Sequence, residues 1–335
     1  MKVLVVRLSA FGDIIHCLPA LDDLLINPDV SEVHWLVDER YAFVSEIFPA
    51  RVQIHRVALK GRNPLQSAWQ VIRRLRAIRF DAVIDLQGLI KSSMLARACG
   101  SPVYGIDKRE LREKISALLT TPVPFHAEER HVVQQYRHVV AEACHQDASL
   151  PIPYKPPHID LQQTHCSANA DLLAELGLSQ RGYVILHTAG GWATKQLPTA
   201  TWLNIARSLP EVAATAVFSW GNDAERMQAQ SLAAACGGFA LPERLSMSSL
   251  CALLTGARAV VGADTGLLHL AAALDTPTVT FWGPSASWRS APIGDKHWHV
   301  ESNPDCGPCF KRTCDQFICM DRIRPDAIVK VLHEL

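Results

Sequence analysis

Asp264-Thr265-Gly266-Leu267-Leu268-His269 stands where an apolar run, Ala259 to Ala263, gives way to a helical pattern. The first N–H groups of a helix lack backbone partners and lie at the positive end of its dipole, so such a turn suits an anion such as a diphosphate. Thr265 adds a hydroxyl, and His269, one helical turn further, is spaced to face the same ligand. Capping of the helix by Asp264 or Thr265 competes for the same residues. A cap leaves His269 unexplained.

Two more loops follow apolar runs. His187-Thr188-Ala189-Gly190-Gly191-Trp192-Ala193-Thr194-Lys195 puts two glycines ahead of a lysine. Amides near Gly190 and Gly191 can approach phosphate oxygens while Lys195 supplies a point charge. The Gly-Lys-Ser/Thr ending of a Walker loop is missing, and a surface turn with a solvated lysine is the plainer alternative. Trp220-Gly221-Asn222-Asp223-Ala224-Glu225 offers Glu225 to paired ribose hydroxyls, although acids are common in first turns for dipole reasons. In the first half, Leu8-Ser9-Ala10-Phe11-Gly12-Asp13-Ile14-Ile15-His16 places Asp13 as a candidate base for a hydroxyl nucleophile, with helix capping as its alternative role. The single glycine there argues against a dinucleotide fingerprint.

A fourth constellation is Cys306-x2-Cys309-x4-Cys314-x4-Cys319. Thiolates this close in sequence suit a structural zinc or iron, with free thiols and disulfides as alternatives. The other six of the ten cysteines, Cys17, Cys99, Cys144, Cys166, Cys236 and Cys251, are scattered.

The elements that must position these groups follow from periodicity. Val3 to Arg7, Glu32 to Val37, Ile54 to Leu59, Ala82 to Leu86 and Val103 to Ile106 read as strands alternating with helices, the pattern of a parallel α/β sheet. Leu65, Trp69, Ile72 and Leu75 recur at helical spacing as an apolar stripe, with Arg73, Arg74, Arg76 and Arg79 around it. The prolines of Leu150 to Pro157 predict a linker, giving domains 1–155 and 156–335. Beyond it Tyr183 to His187, Ala214 to Trp220, Ala259 to Ala263 and Thr278 to Trp282 restart the pattern. Two doubly wound domains are expected, with a ligand at the carboxyl ends of their strands.

The 335 residues are enough for two cores, and 48% hydrophobic with 20% charged residues is the balance of a soluble enzyme. A formal net charge of zero recruits no nucleic acid. The opening run is too short for a signal peptide and no stretch reaches the roughly 18 apolar residues of a span. A cytoplasmic protein with peripheral membrane contact is expected.

Four stretches resemble the bacterial lipopolysaccharide heptosyltransferases, most closely the heptosyltransferase I branch: Val3 to Leu21, Phe80 to Ser93, Gly105 to Leu119 around Arg112, and Val260 to Pro284. The resemblance implies the GT-B fold of two facing Rossmann-like domains, the acceptor-binding one carrying the base and the other holding the donor. It implies an inverting transfer of L-glycero-D-manno-heptose from ADP-heptose to the 3-deoxy-octulosonate (Kdo) of lipid A, at the cytoplasmic face of the inner membrane, with no cofactor needed for catalysis. Asp13 takes the base role. Lys195 and the amides at Thr265 and Gly266 stabilise the departing ADP. Thr188, Gly190, Gly191, Thr194, Glu225, Leu245, Asp264 and His269 complete the donor site, with Asp264 on the heptose and Glu225 on the ribose. Lys60, Arg62, Arg112 and, more weakly, Gln87 are implied for the acidic acceptor.

The sequence departs from the family's pattern where relatives place paired threonines before the lysine, having Ala189-Gly190-Gly191, and where Leu245 replaces a methionine. Cysteine clusters of this kind occur in heptosyltransferase II relatives and protein heptosyltransferases. A heptosyltransferase II, III or protein heptosyltransferase is therefore the nearest alternative. A nucleotide-sugar epimerase and a non-catalytic metal-binding or assembly protein are alternatives of other classes.

Overall fold

Apolar β-branched runs closed on both faces by helices form parallel sheets, and this chain builds two. A computed structural model describes residues 1–164 and 171–335. Cys166 lies outside the described residues. The chain divides into compact units Met1–His165 and Cys166–Leu335.

The first unit contains strands β1 (Lys2–Val6), β2 (Glu32–Asp38), β3 (Val52–Val57), β4 (Ala82–Asp85), β5 (Val103–Gly105) and β6 (Thr121–Pro122), in the order β3-β2-β1-β4-β5-β6. Every pairing is parallel. Its helices are α1 (Phe11–His16), α2 (Leu18–Ile26), α3 (Pro64–Ile78), α4 (Ile90–Ala98) and α5 (Val132–Ala143). The second unit contains β7 (Tyr183–His187), β8 (Thr215–Ser219), β9 (Phe239–Ala240), β10 (Ala259–Ala263), β11 (Thr278–Trp282) and β12 (His297–Glu301), in the parallel order β12-β11-β10-β7-β8-β9. Around it lie α6 (Leu172–Glu175), α7 (Thr199–Ser208), α8 (Asp223–Cys236), α9 (Met247–Gly256), α10 (Gly266–Ala273), α11 (Ser287–Ser290) and α12 (Pro325–Glu334). In each sheet the strand order reverses direction once, between β1 and β4 and between β7 and β10. Loops at such switch points are where doubly wound sheets bind ligands.

Two details differ from the sequence reading. The proline-rich stretch lies along the first unit: Glu129 accepts from the Ile152 amide at 2.7 Å, Arg137 donates to the Pro153 carbonyl at 2.6 Å, and Lys155 pairs with Asp22 at 3.3 Å. In α3 the buried residues are Val71 and Leu75, with Ala68, Ile72 and Ile78 half-turned to the core. Leu65 and Trp69, expected inside, are 85% and 61% exposed. The buried stripe is rotated because Val71, which the expected stripe omitted, meets the sheet.

A neutral histidine pair joins β2 to β3. His34 Nδ1 and His55 Nε2 lie 2.9 Å apart, the rings stack at 5.2 Å, and Phe80 closes one side edge-on. Burial pushes both below the ordinary 6.5, and for His55 the charges of His34 and Arg74 add to bring it to about 4. The unfolded chain thus binds protons that the folded chain refuses, so this stabilisation is whole above pH 6.5 and is lost as pH falls toward 4. The melting midpoint is expected to drop by on the order of 5 °C between pH 7 and pH 5. In His55→Phe the drop should be shallower, and an equal drop would exonerate the pair.

Candidate functional site

In the first unit the switch-point loops after β1 and β4 are tied together. Gln87 accepts from the Leu8 amide at 2.7 Å and donates to Ser9 Oγ at 3.2 Å. Below it Asp85, fully buried, accepts from the Gln87 and Gly88 amides at 3.0 and 3.2 Å and from Ser92 and Ser93 hydroxyls at 3.1 and 2.6 Å. Burial pushes Asp85 up while those four bonds pull it down, and burial prevails. Sequence reading gave Asp85 no role, although an acid ending an apolar strand is a visible signal of such a brace.

Asp13 sits in the first turn of α1. Its Oδ2 is 2.6 Å from Arg7 Nη2 and accepts from the Ala10 amide at 3.3 Å, so the capping role is real. The carboxylate nonetheless stays 43% exposed, while Arg7 is buried and anchored to the Leu86 carbonyl and to the Tyr136 hydroxyl at 3.1 Å. Burial pulls the Arg7 guanidinium down, but Asp13 and the neighbouring groups override it and hold it above its ordinary range. Asp13 is thus an oriented carboxylate that reaches solvent from a fixed cation. Lys60, Arg62 and Arg112 are exposed in loops of the same unit.

In the second unit the loops after β7 and β10 meet across the switch point. Lys195, 8% exposed, donates to Asp264 Oδ2 at 2.6 Å and to the Asp264 carbonyl at 2.8 Å, and lies 4.4 Å from the Trp192 ring centroid. His269 Nε2 is 2.9 Å from Asp264 Oδ1. Burial pushes Asp264 up, but the His269 hydrogen bond and the Lys195 charge outweigh it and hold the carboxyl well below the carboxylate range. Asp264 therefore binds side chains across the turn. Thr265 occupies the N-cap of α10 without a side-chain cap bond. Its hydroxyl oxygen and that of Thr188 are buried without a hydrogen-bond partner among the described residues. Both hydroxyls belong to the switch-point loops that also carry Lys195 and the first amides of α10, groups whose chemistry suits the oxygens of an anion.

The remaining expected donor residues divide. Gly191 is exposed and Gly190 half-buried, with room for a Cβ at Gly191 and Lys195 Cβ 3.5 Å from where one would stand at Gly190. Thr194 is committed elsewhere: its hydroxyl donates to the Lys311 carbonyl at 2.7 Å. Glu225 accepts from the Gly221 amide at 2.8 Å across the loop after β8. Leu245 is half-buried just before α9. Sequence reading passed over Trp192, whose ring carries Lys195 on it and Arg312 at 5.4 Å. A tryptophan beside a glycine pair and a lysine was the available signal.

Gly262 lets the turn close. A Cβ there would stand 2.6 Å from Leu268 Cδ2 and 3.2 Å from both Cβ and the carbonyl oxygen of His187. Gly262→Ala is expected to cost about 1–3 kcal/mol of stability and to raise KM for the donor, measured by thermal melts and initial rates. Unchanged values for both would show that the turn has slack.

Cys306 and Cys314 are exposed, Cys309 and Cys319 half-buried, and all four are free thiols. Among the described residues no three His, Cys, Asp or Glu side chains come together to share an ion. Among the described residues no helix is long and apolar enough to cross a membrane.

Two parallel doubly wound sheets, each with polar side chains gathered at its switch point, have the architecture of the GT-B fold. The chain belongs to glycosyltransferase family 9, the heptosyltransferases, whose model matches residues 68–317. It is 33% identical to lipopolysaccharide heptosyltransferase 1 of Pseudomonas aeruginosa, across 100% of this chain and 98% of that one. With lipopolysaccharide heptosyltransferase 1 of Escherichia coli (strain K12) it shares 29% identity over 85% and 88% of the two chains. Among solved structures, E. coli heptosyltransferase WaaC with ADP-2-deoxy-2-fluoro heptose matches with a TM-score of 0.78 at 25% identity, covering 100% of this chain and 99% of that one.

Proposed function

We propose that this chain transfers L-glycero-D-manno-heptose from ADP-heptose to a Kdo hydroxyl of lipid A-linked inner core, with inversion at the anomeric carbon. The observation that carries the reading is the β7/β10 switch point, where Lys195, Asp264 and His269 converge beside the orphaned hydroxyls of Thr188 and Thr265. The ADP-heptose analogue in WaaC supports the donor, and the names of the relatives support a lipopolysaccharide acceptor.

As the acceptor oxygen bonds to the anomeric carbon, the bond from that carbon to the ADP oxygen breaks and its electron pair leaves with ADP. The hydroxyl proton goes to Asp13, which Arg7 holds in one orientation. Charge grows on the diphosphate, and Lys195 with the first amides of α10 meets it without reorganising. On donor binding Lys195 exchanges part of its hold on Asp264 for phosphate oxygens, which releases one Asp264 oxygen to heptose hydroxyls. Glu225 takes the ribose, Leu245 packs on the adenine side, and the Gly190 and Gly191 backbone lines the diphosphate. Lys60, Arg62 and Arg112 hold the acidic acceptor, and Gln87 acts one step back by fixing Leu8 and Ser9. No step passes through the cysteines, so Cys306→Ser should leave transfer rates unchanged. A large loss in that variant would give the cluster a part in the reaction.

The proposed enzyme works at the cytoplasmic face of the inner membrane, where a lipid-linked acceptor and a soluble nucleotide sugar meet. Acceptor choice tests it: with ADP-heptose, Kdo-lipid A should be extended and an acceptor already carrying the first heptose should not. Extension of the second alone would move the chain to the heptosyltransferase II reaction.

A further inference from the structure

Helices α3 and α4 belong to successive crossovers, β3 to β4 and β4 to β5, and right-handed connections place both on one face of the first sheet. Their inner sides fill a single core with Val71, Leu75, Leu95, Ala96 and Cys99. α3 packs beside α4, and α4 beside the 3-10 turn Lys114–Leu118. The outer sides of these three elements form one surface.

Large apolar side chains stand out on it: Leu65 and Trp69 on α3, Met94 on α4, and Ile115 and Leu118 on the turn, the last 84% exposed. Between Glu46 and Asp81 the sequence carries Arg51, Arg56, Lys60, Arg62, Arg73, Arg74, Arg76 and Arg79 with no Asp or Glu. Lys91 and Arg97, flanking Met94, also lie in a stretch without acids, from Asp85 to Asp107. Within the three elements themselves Arg73, Arg74, Arg76, Lys91, Arg97 and Lys114 are exposed and no Asp or Glu occurs, so in a chain of zero net charge their outer surface is basic. Among the described residues Arg56 alone of these cations has an ion pair, with Glu39 at 3.8 Å. Leu65, Trp69, Arg73 and Arg76 share the side of α3 turned from the core, and the Arg73 guanidinium lies 5.6 Å from the Trp69 ring centroid.

A merely solvated helix interleaves acids with bases and keeps leucine and tryptophan off its outer stripe. A bilayer offers phosphates for the arginines and, just beneath them, apolar depth for the leucine and indole. We propose that the outer face of α3, α4 and the Lys114–Leu118 turn docks this chain on an anionic phospholipid surface. The inference rests on the reading of a lipid-linked acceptor and names the surface that reaches it.

Flotation of the full chain with phosphatidylcholine vesicles, with and without phosphatidylglycerol, tests the proposal. The chain should float with the anionic vesicles and stay behind with the neutral ones. Arg73→Gln with Arg76→Gln should weaken partition by about 30-fold, and Leu65→Ser with Trp69→Ser should weaken it by about tenfold. Equal flotation of wild type and both variants overturns the proposal, as does a wild type that ignores anionic vesicles while binding an acidic protein or nucleic acid through this face. Transfer to a deacylated, water-soluble Kdo acceptor is followed in parallel and should be unchanged in both variants. A wild type that transfers heptose but does not float defeats the docking surface alone. One that floats but transfers nothing defeats the proposed function alone.

Discussion

Asp13→Asn is expected to lower kcat for heptose transfer by about 10²–10⁴-fold, the span that removal of a general base produces, with KM for ADP-heptose nearly unchanged. Asparagine keeps the shape of the side chain and can still accept from the Ala10 amide. It loses the basic oxygen and the charge facing Arg7. Because Arg7 is buried, a structural cost accompanies the catalytic one, moderated because Asp13 is 43% exposed. The two separate by measurement. A catalytic role predicts a large fall in kcat in protein that melts only slightly early, whereas a purely capping role predicts a shifted melt with near-normal turnover.

Lys195→Met is expected to lower kcat by about 10²–10³-fold, the usual loss when one preorganised donor to developing charge is removed. It also leaves Asp264 buried with His269 as its remaining side-chain partner, and breaking a buried pair on one side costs about 3–5 kcal/mol. Adding Asp264→Asn to Lys195→Met removes the uncompensated charge, so stability should recover while activity stays low. If activity recovered along with stability, Lys195 would be a structural lysine. Kinetics with ADP-heptose and thermal melts of the two variants decide the question.

Much of this was legible because burial on both faces writes parallel strands as unbroken apolar runs. Val3 to Arg7 and Tyr183 to His187 lie within a residue of β1 and β7. The missed strands were β6 and β9, two residues each, and β12, an edge strand whose His297-Trp298-His299 does not read as buried sheet. Sequence order placed Asp264 and His269 on one strand-to-helix turn and Lys195 in a different loop. Their joint hydrogen bonding depends on β7 and β10 lying side by side across more than fifty residues of intervening chain, a pairing that periodicity does not reveal. The α3 stripe failed for a related reason: Leu65 and Trp69 have helical spacing, but only the position of the sheet decides which side of a helix is inner. Asp85 at a strand end and Thr194 within a loop, one overlooked and one expected on the donor, show that a polar residue beside a site braces a loop as readily as it binds a ligand.

The central claim is the joining of this donor to this acceptor. Mass spectrometry of Kdo-lipid A after incubation with ADP-heptose and the full chain tests it most directly. Lipid heavier by one heptose is expected, with one ADP released for each molecule extended. ADP-heptose consumed with the lipid mass unchanged would contradict it.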